Sequence, residues 1–112
     1  MLPALLMLAL SATVAADDLP RGEVIESVTC QAAPSQSYAL YLPSTYTADR
    51  SWPVIYLFDA GGRGSNAVDR YRAAAEAYGY ILAGSNNSRN GRPNIDALAS
   101  MPADVAARFR VD

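Results

Sequence analysis

Alternation of apolar and polar residues predicts two β-strands in the first half of the chain. Residues 23–31 (EVIESVTCQ) are rich in β-branched side chains, which favour strands. Residues 37–42 (SYALYL) alternate, so that Tyr38 and every second residue after it share one face and the residues between them share the other. The intervening segment contains Pro34, which interrupts a strand, and we therefore expect an antiparallel hairpin.

The pattern of apolar residues and glycines in residues 53–83 predicts a strand, a helix and a second strand that runs parallel to the first. Residues 53–58 (PVIYLF) form an unbroken apolar run, typical of a parallel strand covered on both faces, and we expect them to form the central strand. This run ends at residues 59–64 (DAGGRG), hereafter the glycine turn. Residues 80–83 (YILA) restart a strand after the helix, which completes a β-α-β unit.

Two helices are predicted from apolar residues at helical spacing. The first begins near Asn66, which can cap it, and ends at Gly79, which suits a C-terminal cap. Its predicted inward face consists of Val68, Tyr71, Ala75 and Tyr78. The second covers residues 95–109, where Pro102 can divide it into two segments. Its predicted inward face consists of Leu98, Met101, Val105 and Phe109. Residues 84–94 (GSNNSRNGRPN), hereafter the polar loop, precede this helix.

The first residues of the chain are typical of an export signal. Residues 1–16 carry no charged side chain, and their apolar run is too short to span a bilayer, which needs about 20 apolar residues. Small residues then precede Asp17, which indicates a signal peptide cleaved after Ala16 and a domain of residues 17–112. We therefore expect a secreted or periplasmic protein. The segment lacks the usual Lys or Arg, and a buried N-terminal helix is the alternative.

Composition argues against several kinds of site. Nine arginines, no lysine and eleven acidic residues give a net charge of −2, which does not favour nucleic acid or an anionic membrane. The sequence contains no histidine, which removes His-based metal sites and His-dependent catalytic triads, and we expect no metal or cofactor. The single cysteine, Cys30, is predicted to be a buried apolar residue in a strand, with a disulfide to a residue beyond Asp112 as the alternative.

The glycine turn allows three interpretations. Residues 62–67 match the dinucleotide-binding pattern G-x-G-x-x-A, but a hairpin precedes them and the next strand does not end in an acidic residue. The second interpretation is an oxyanion hole, in which the main-chain N–H groups of Ala60, Gly61 and Gly62 bind the oxygen that becomes negative in acyl transfer. The third is a tight turn that binds nothing.

The order of these elements resembles the N-terminal half of the α/β-hydrolase fold. In that fold a turn after the third strand often reads His-Gly-x-Gly. Residues 53–64 (PVIYLFDAGGRG) resemble this segment in bacterial hydrolases related to secreted polyhydroxybutyrate depolymerases and feruloyl esterases, with Asp59 where many members have histidine. Residues 85–91 (SNNSRNG) resemble the loop after the fourth strand, and residues 104–112 (DVAARFRVD) resemble the helix end before the nucleophile strand. The resemblance covers nearly all of the chain after the leader.

The resemblance implies a serine esterase in which Ala60, Gly61 and Gly62 supply oxyanion donors. In that family the next strand leads into G-x-S-x-G, and both this motif and a histidine are absent from the sequence. Three serines near the loops are candidate nucleophiles, and without these groups they are interpreted as cap and loop residues: Ser65, Ser85 and Ser88.

Four further residues near these loops are candidates for the site. Asp59 is predicted to fix the glycine turn by accepting main-chain N–H bonds, with a catalytic acid as the alternative. Asn86, Asn87 and Arg89 are candidates for substrate contact. For Arg89 a solvated loop is the favoured interpretation, and binding of a substrate carboxylate is the alternative.

These patterns together predict an α/β protein with an incomplete α/β-hydrolase fold: an antiparallel hairpin, a parallel β-α-β unit and a further helix. We expect the parent enzyme to hydrolyse a small or polymeric carboxylic ester and this chain alone to be inactive. A small secreted α/β domain with a binding or structural role is the alternative. An incomplete sheet leaves an apolar edge unpaired, so we also expect the isolated chain to self-associate.

Overall fold

Main-chain hydrogen bonds build a four-stranded mixed sheet in the computed structural model, which describes residues 18–112. The elements in chain order are β1 (Val24–Thr29), β2 (Ser37–Tyr41), β3 (Val54–Leu57), α1 (Gly64–Tyr78), β4 (Ile81–Ser85) and α2 (Ile95–Arg108). The strands lie in the order β1-β2-β4-β3. The pairs β1–β2 and β2–β4 are antiparallel, and the pair β3–β4 is parallel. The predicted α/β class, the hairpin and the β-α-β unit are therefore confirmed.

Alternation along β2 divides the core into two layers. Tyr38 and the alternate residues after it belong to the larger cluster, which includes Met101 and Val105 of α2. The residues between them belong to the smaller cluster, with Val68 and Ala75 of α1. Because successive side chains of a strand point to opposite faces, the two helices cover opposite faces of the sheet. The two faces predicted for this strand are confirmed.

The most enclosed strand is β4, and the prediction that residues 53–58 form the central strand is wrong for the part of the chain that is described. All five residues of β4 are buried, whereas Ile55 of β3 is 42% exposed. Within residues 18–112, residues 54–57 of β3 are paired on one side only, by β4. An isolated parallel bridge between Trp52 and Val111 lies just before β3. The apolar side chains of β3 therefore border an open edge.

The inward faces of the two helices differ from the prediction at three positions. Tyr71 and Tyr78 of α1 are 47% and 78% exposed, and Leu98 of α2 is 59% exposed. Helix α1 instead turns small residues toward the sheet, and its buried residues are Gly64, Val68 and Ala75. The buried residues of α2 are Ala97, Met101, Asp104 and Val105. Of the four residues predicted to face inward on α1, Val68 and Ala75 are therefore buried and the two tyrosines are not.

Two glycines set where α1 begins. The helix starts at Gly64 rather than near Asn66, and the residue before it, Arg63, makes no side-chain capping bond. A Cβ added at Gly64 would lie 2.3 Å from the carbonyl oxygen of Gly84, and one added at Gly84 would lie 2.7 Å from the Gly64 carbonyl oxygen. This contact places the helix N-terminus at the carboxyl end of β4. Gly79 ends the helix at φ 77°, as predicted.

Helix α2 continues through Pro102 and is not divided by it. Proline has no N–H, so the carbonyl of Leu98 loses its helical partner.

A buried carboxylate joins α2 to the hairpin. Asp104 is 7% exposed and accepts hydrogen bonds from the Tyr38 hydroxyl at 2.6 Å, Arg108 Nε at 2.7 Å and the Gln31 N–H at 2.9 Å. Arg108 Nη2 also donates to the Thr29 carbonyl oxygen at 2.8 Å. Burial raises the pKa of Asp104, but the hydrogen bonds from Tyr38, Gln31 and Arg108 outweigh it and hold the pKa below its ordinary value.

The cysteine is free and buried, as predicted, although it directly follows β1 rather than lying within it. Its Sγ is 3.7 Å from the carbonyl oxygen of Ser100. Burial and the negative charge of Asp104 raise the pKa of the Cys30 thiol, which makes it a poor nucleophile at neutral pH.

The predicted signal peptide, residues 1–16, lies outside the described residues. Within residues 18–112, neither helix has the length and apolar character needed to cross a bilayer.

Asp104→Ala will lower the free energy of unfolding by about 3–5 kcal/mol, because it removes the acceptor that Tyr38 and Arg108 share. Asp96→Ala, in the exposed first turn of the same helix, is the matched control and will cost less than about 1 kcal/mol. Urea unfolding followed by circular dichroism measures both losses. The folded-state pKa of Asp104 lies below the unfolded-state pKa, so its contribution is present above the unfolded value and is lost as the pH falls toward the folded one. Equal losses in the two variants would contradict the assignment.

Candidate functional site

The carboxylate of Asp59 organises the glycine turn. Its Oδ2 accepts the N–H of Gly61 at 2.8 Å and the N–H of Arg63 at 3.0 Å, and its main-chain oxygen accepts the N–H of Gly62 at 3.1 Å. The Arg63 guanidinium adds an ion pair at 3.1 Å. The hydrogen bonds from the main chain and side chain of Arg63, and then from Gly61, lower the pKa of Asp59 to about 2. Asp59 is therefore ionised at neutral pH and holds three successive N–H groups in place.

This arrangement divides the three oxyanion-hole candidates. The N–H groups of Gly61 and Gly62 already donate to Asp59. The N–H of Ala60 has no hydrogen-bond partner within residues 18–112, and Ala60 is exposed. A ligand could therefore take the Ala60 N–H without breaking an existing bond, whereas the other two amides must first leave Asp59.

The glycine turn and the polar loop meet at the carboxyl ends of β3 and β4. The Ser88 hydroxyl donates to the carbonyl oxygen of Asp59 at 2.7 Å, and the Asn90 N–H donates to the carbonyl oxygen of Ala60 at 2.9 Å. Parallel strands end at the same edge of a sheet, so the two loops that follow them become neighbours. The structure thus brings the glycine turn and the polar loop into direct contact.

Arg89 of the polar loop covers the glycine turn at Gly62. Gly62 has φ 68°, and a Cβ there would lie 1.5 Å from Arg89 Nη1 and 2.7 Å from the carbonyl oxygen of Asn86. Arg89 Nη1 donates to the carbonyl oxygens of Ser88 at 2.8 Å and Asn86 at 3.4 Å. Only glycine suits this position, because it needs both a left-handed backbone and an absent side chain. A positive charge therefore lies directly on the turn.

The side chains of Asn86 and Asn87 form their hydrogen bonds with the hairpin and the segment that joins its strands. Asn86 Nδ2 donates to the Glu26 carbonyl oxygen at 3.2 Å and to Ser37 Oγ at 3.1 Å. Asn87 Oδ1 accepts the Ser37 N–H at 2.9 Å, and its Nδ2 donates to the Ser35 carbonyl oxygen at 3.2 Å. Of the three residues proposed for substrate contact, Arg89 has its side chain against Gly62, Asn86 places its Oδ1 against Gly64 at the end of the glycine turn, and Asn87 bonds to the hairpin.

The serines near the site have structural partners. Ser85 Oγ accepts the N–H groups of Asn87 and Ser88, each at 3.1 Å, and both Ser85 and Ser88 are 1% exposed. Ser65 lies in the first turn of α1 and is not its N-cap. Ser85 and Ser88 shape the polar loop, and burial of their hydroxyls leaves no approach for an ester carbonyl.

A groove of about 300 Å³ beside the turn was not foreseen from the sequence. It lies between the end of β3 and the first turns of α1, and its walls include Phe58, Ala60 and Tyr71. Tyr71 was expected in the core because its helical spacing matches Val68 and Ala75. The open edge of β3 makes it a wall of the groove instead, and no local pattern in the sequence indicates which strand lies at an edge.

No protein-family model matches this sequence, and no curated protein matches it either. The resemblance to the α/β-hydrolases therefore depends on the residues quoted above and remains a prediction.

Gly62→Ala will destabilise the protein more than Gly91→Ala does. Both glycines have positive φ, 68° and 75°, but no atom lies within 4 Å of a Cβ at Gly91. Gly91→Ala isolates the backbone cost, about 1–2 kcal/mol. Gly62→Ala adds the collision with Arg89 and the Asn86 carbonyl. Thermal unfolding of the two variants measures the difference, and equal shifts in Tm would show that Arg89 does not occupy the turn.

Asp59→Ala will release the N–H groups of Gly61 and Arg63, because it removes their common acceptor. Asp69→Ala is the matched control, since the Asp69 side chain forms an ion pair with Arg72 at 3.2 Å and accepts no main-chain N–H within residues 18–112. Amide hydrogen exchange followed by NMR should show faster exchange at Gly61 and Arg63 in Asp59→Ala only. In the unmodified protein this protection will persist in mild acid and be lost as the pH falls from the ordinary Asp range to about 2.

Proposed function

We propose that this chain forms the N-terminal part of an α/β-hydrolase whose parent enzyme cleaves a carboxylic ester through a serine acyl-enzyme, and that the chain alone is inactive. Its contribution is one oxyanion donor, the N–H of Ala60. We also propose that the protein is secreted or periplasmic, because residues 1–16 have the pattern of a signal peptide.

The uncommitted N–H of Ala60 is the observation that carries this proposal. In the α/β-hydrolase fold one oxyanion donor follows the nucleophile and the other comes from the loop between the third strand and the first helix. The glycine turn occupies that loop, between β3 and α1. One free amide is therefore sufficient, and the engagement of Gly61 and Gly62 by Asp59 is compatible with an oxyanion hole. Asp59 keeps the turn in the shape that exposes Ala60.

The Trp52–Val111 bridge supports the position proposed for the nucleophile. The Trp52 N–H donates to the carbonyl oxygen of Arg110 at 3.0 Å, and the Asp112 N–H donates to the carbonyl oxygen of Trp52 at 3.0 Å. Parallel pairing therefore begins on the open side of β3 just before that strand. A strand continuing in this register would run beside β3 and end next to the glycine turn. We propose that this strand carries the nucleophile.

In the proposed reaction the serine oxygen attacks the ester carbonyl and the carbonyl oxygen becomes negative. The Ala60 N–H and the N–H after the nucleophile bind that oxygen, the alcohol leaves, and water then hydrolyses the acyl-enzyme. Arg63 offsets the negative charge of Asp59, which would otherwise oppose a second negative charge at the turn. Residues 1–112 contain neither histidine nor G-x-S-x-G, so the attack needs groups that these residues do not include.

The open side of β3 also supports the proposed self-association of the isolated chain. Ile55 and Phe58 are 42% and 41% exposed, and an unpaired apolar edge is a site for pairing with another chain. In the proposed parent enzyme the next strand covers this edge.

A non-catalytic binding or structural domain is the second candidate, and the geometry of Asp59 favours it. The side chain of Asp59 accepts two main-chain N–H groups, and its main-chain oxygen accepts a third. These bonds stabilise the turn, and this structural role is enough to explain Asp59 without catalysis. This candidate needs no nucleophile and no substrate.

The experiment that separates the two candidates is expression of the gene together with its native downstream sequence. The hydrolase proposal predicts a G-x-S-x-G motif in the continuation, covalent labelling by a fluorophosphonate probe and turnover of a panel of p-nitrophenyl esters. The 112-residue chain alone will show neither labelling nor turnover. A continuation without this motif that neither labels nor hydrolyses esters would establish the non-catalytic candidate.

Ala60→Pro tests the role of Ala60 in that longer enzyme, because proline removes the N–H. The expected loss is about 10²–10³-fold in kcat, with KM little changed. Ala60→Gly keeps the N–H and is the matched control. Unchanged kcat in a folded Ala60→Pro variant would exclude Ala60 as an oxyanion donor.

A further inference from the structure

The five asparagines of the chain differ in how their side chains and the amides that follow them are engaged. The side chains of Asn86, Asn87 and Asn94 each take part in hydrogen bonds. Asn66 lies in α1, where the N–H of the next residue, Ala67, donates to the carbonyl oxygen of Arg63 at 3.2 Å. For each of these four asparagines, either the side-chain amide or the main-chain N–H of the next residue therefore takes part in a hydrogen bond.

Asn90 is different in both respects. Within residues 18–112 its side chain has no hydrogen-bond partner, and neither does the N–H of Gly91. Both residues are exposed, and a Cβ placed at Gly91 would meet no atom within 4 Å. Within residues 18–112 no hydrogen bond therefore holds the Gly91 nitrogen or the Asn90 side chain away from the other, and glycine has no side chain to obstruct the approach.

We propose that Asn90 is a site of spontaneous succinimide formation and conversion to isoaspartate. The Gly91 nitrogen loses its proton to hydroxide and attacks Asn90 Cγ. The N–Cγ bond forms, the Cγ–Nδ2 bond breaks, and ammonia leaves. Water then opens the ring at the main-chain carbonyl, which gives isoaspartate, or at Cγ, which gives aspartate. The net change is addition of water and loss of ammonia, with no oxidation or reduction.

The charges around Asn90 favour this reaction. Arg89 and Arg92 lie on either side of the Asn90–Gly91 pair, and the polar loop contains no acidic residue. Positive charge stabilises the deprotonated Gly91 nitrogen that makes the attack, because an opposite charge nearby favours the ionised form.

The modification changes the part of the polar loop that touches the glycine turn. Asn94 closes this part, with its Oδ1 accepting the Arg89 N–H at 3.0 Å and its Nδ2 donating to the Arg89 carbonyl oxygen at 3.1 Å. The hydrogen bond from the Asn90 N–H to the Ala60 carbonyl oxygen lies within the segment 89–94 that these two bonds close. Isoaspartate adds a methylene to the main chain at Asn90 and a negative charge, so we expect it to disturb the contact with Ala60.

Incubation of the purified chain at mildly alkaline and at mildly acidic pH tests the proposal. Trypsin cleaves after Arg89 but not between Arg92 and Pro93, so the peptide of interest begins at Asn90. We expect the mass increase of an amide-to-acid change at Asn90, faster in alkali, together with methyl transfer by an isoaspartyl methyltransferase. Asn66, in another tryptic peptide, is the internal control and will stay unchanged over the same period.

Two variants and a peptide complete the test. Asn90→Gln will abolish the methyl transfer, and Gly91→Ala will slow it, because the alanine methyl group hinders attack by the nitrogen. A synthetic peptide of residues 86–94 should react at a rate similar to that of the folded chain. Equal modification at Asn66 and Asn90, or a folded chain that stays unmodified while the peptide reacts, would overturn the proposal.

Discussion

The place of the candidate site depends on a contact between two main chains, at Gly64 of α1 and Gly84 of β4. Neither position has room for a Cβ, since each would meet the carbonyl oxygen of the other glycine at less than 3 Å. This close approach fixes the N-terminus of α1 at the carboxyl end of β4, and the preceding glycine turn must then lie beside the polar loop. The bonds from Ser88 to Asp59 and from Asn90 to Ala60 follow from that placement.

The hairpin and its two faces could be predicted from the sequence because a strand has a side-chain period of two, and residues 37–42 follow it. The helix faces could be predicted only in part. Val68 and Ala75 are buried as expected, but Tyr71 and Tyr78 are exposed, although all four share one helical stripe. Periodicity identifies an apolar stripe, whereas the neighbouring element decides how much of it is covered. An open edge beside β3 removes that cover.

The candidate site shows the same division between local chemistry and tertiary arrangement. Asp59, as a short carboxylate before glycines, has an obvious capacity to accept main-chain N–H groups. Which amides it takes depends on the backbone path, and that path leaves Ala60 uncommitted while engaging Gly61 and Gly62. Asn86 and Asn87 point to the hairpin because β2 and β4 are neighbours in the sheet, a pairing that no pattern in the polar loop itself indicates.

The hydrogen bonds that Asp104 and Arg108 of α2 form with the hairpin, hereafter the Asp104 cluster, affect how the protein folds during its synthesis. The Asp104 carboxylate binds Tyr38, which lies 66 residues earlier, and Arg108 of the same cluster reaches Thr29, which lies 79 residues earlier. During synthesis the hairpin leaves the ribosome long before α2 does. Until α2 has been synthesised, the Tyr38 hydroxyl lacks its acceptor and one apolar face of the hairpin stays uncovered. Contacts so distant in sequence slow folding. The nascent chain is consequently a candidate client for chaperones until α2 leaves the exit tunnel.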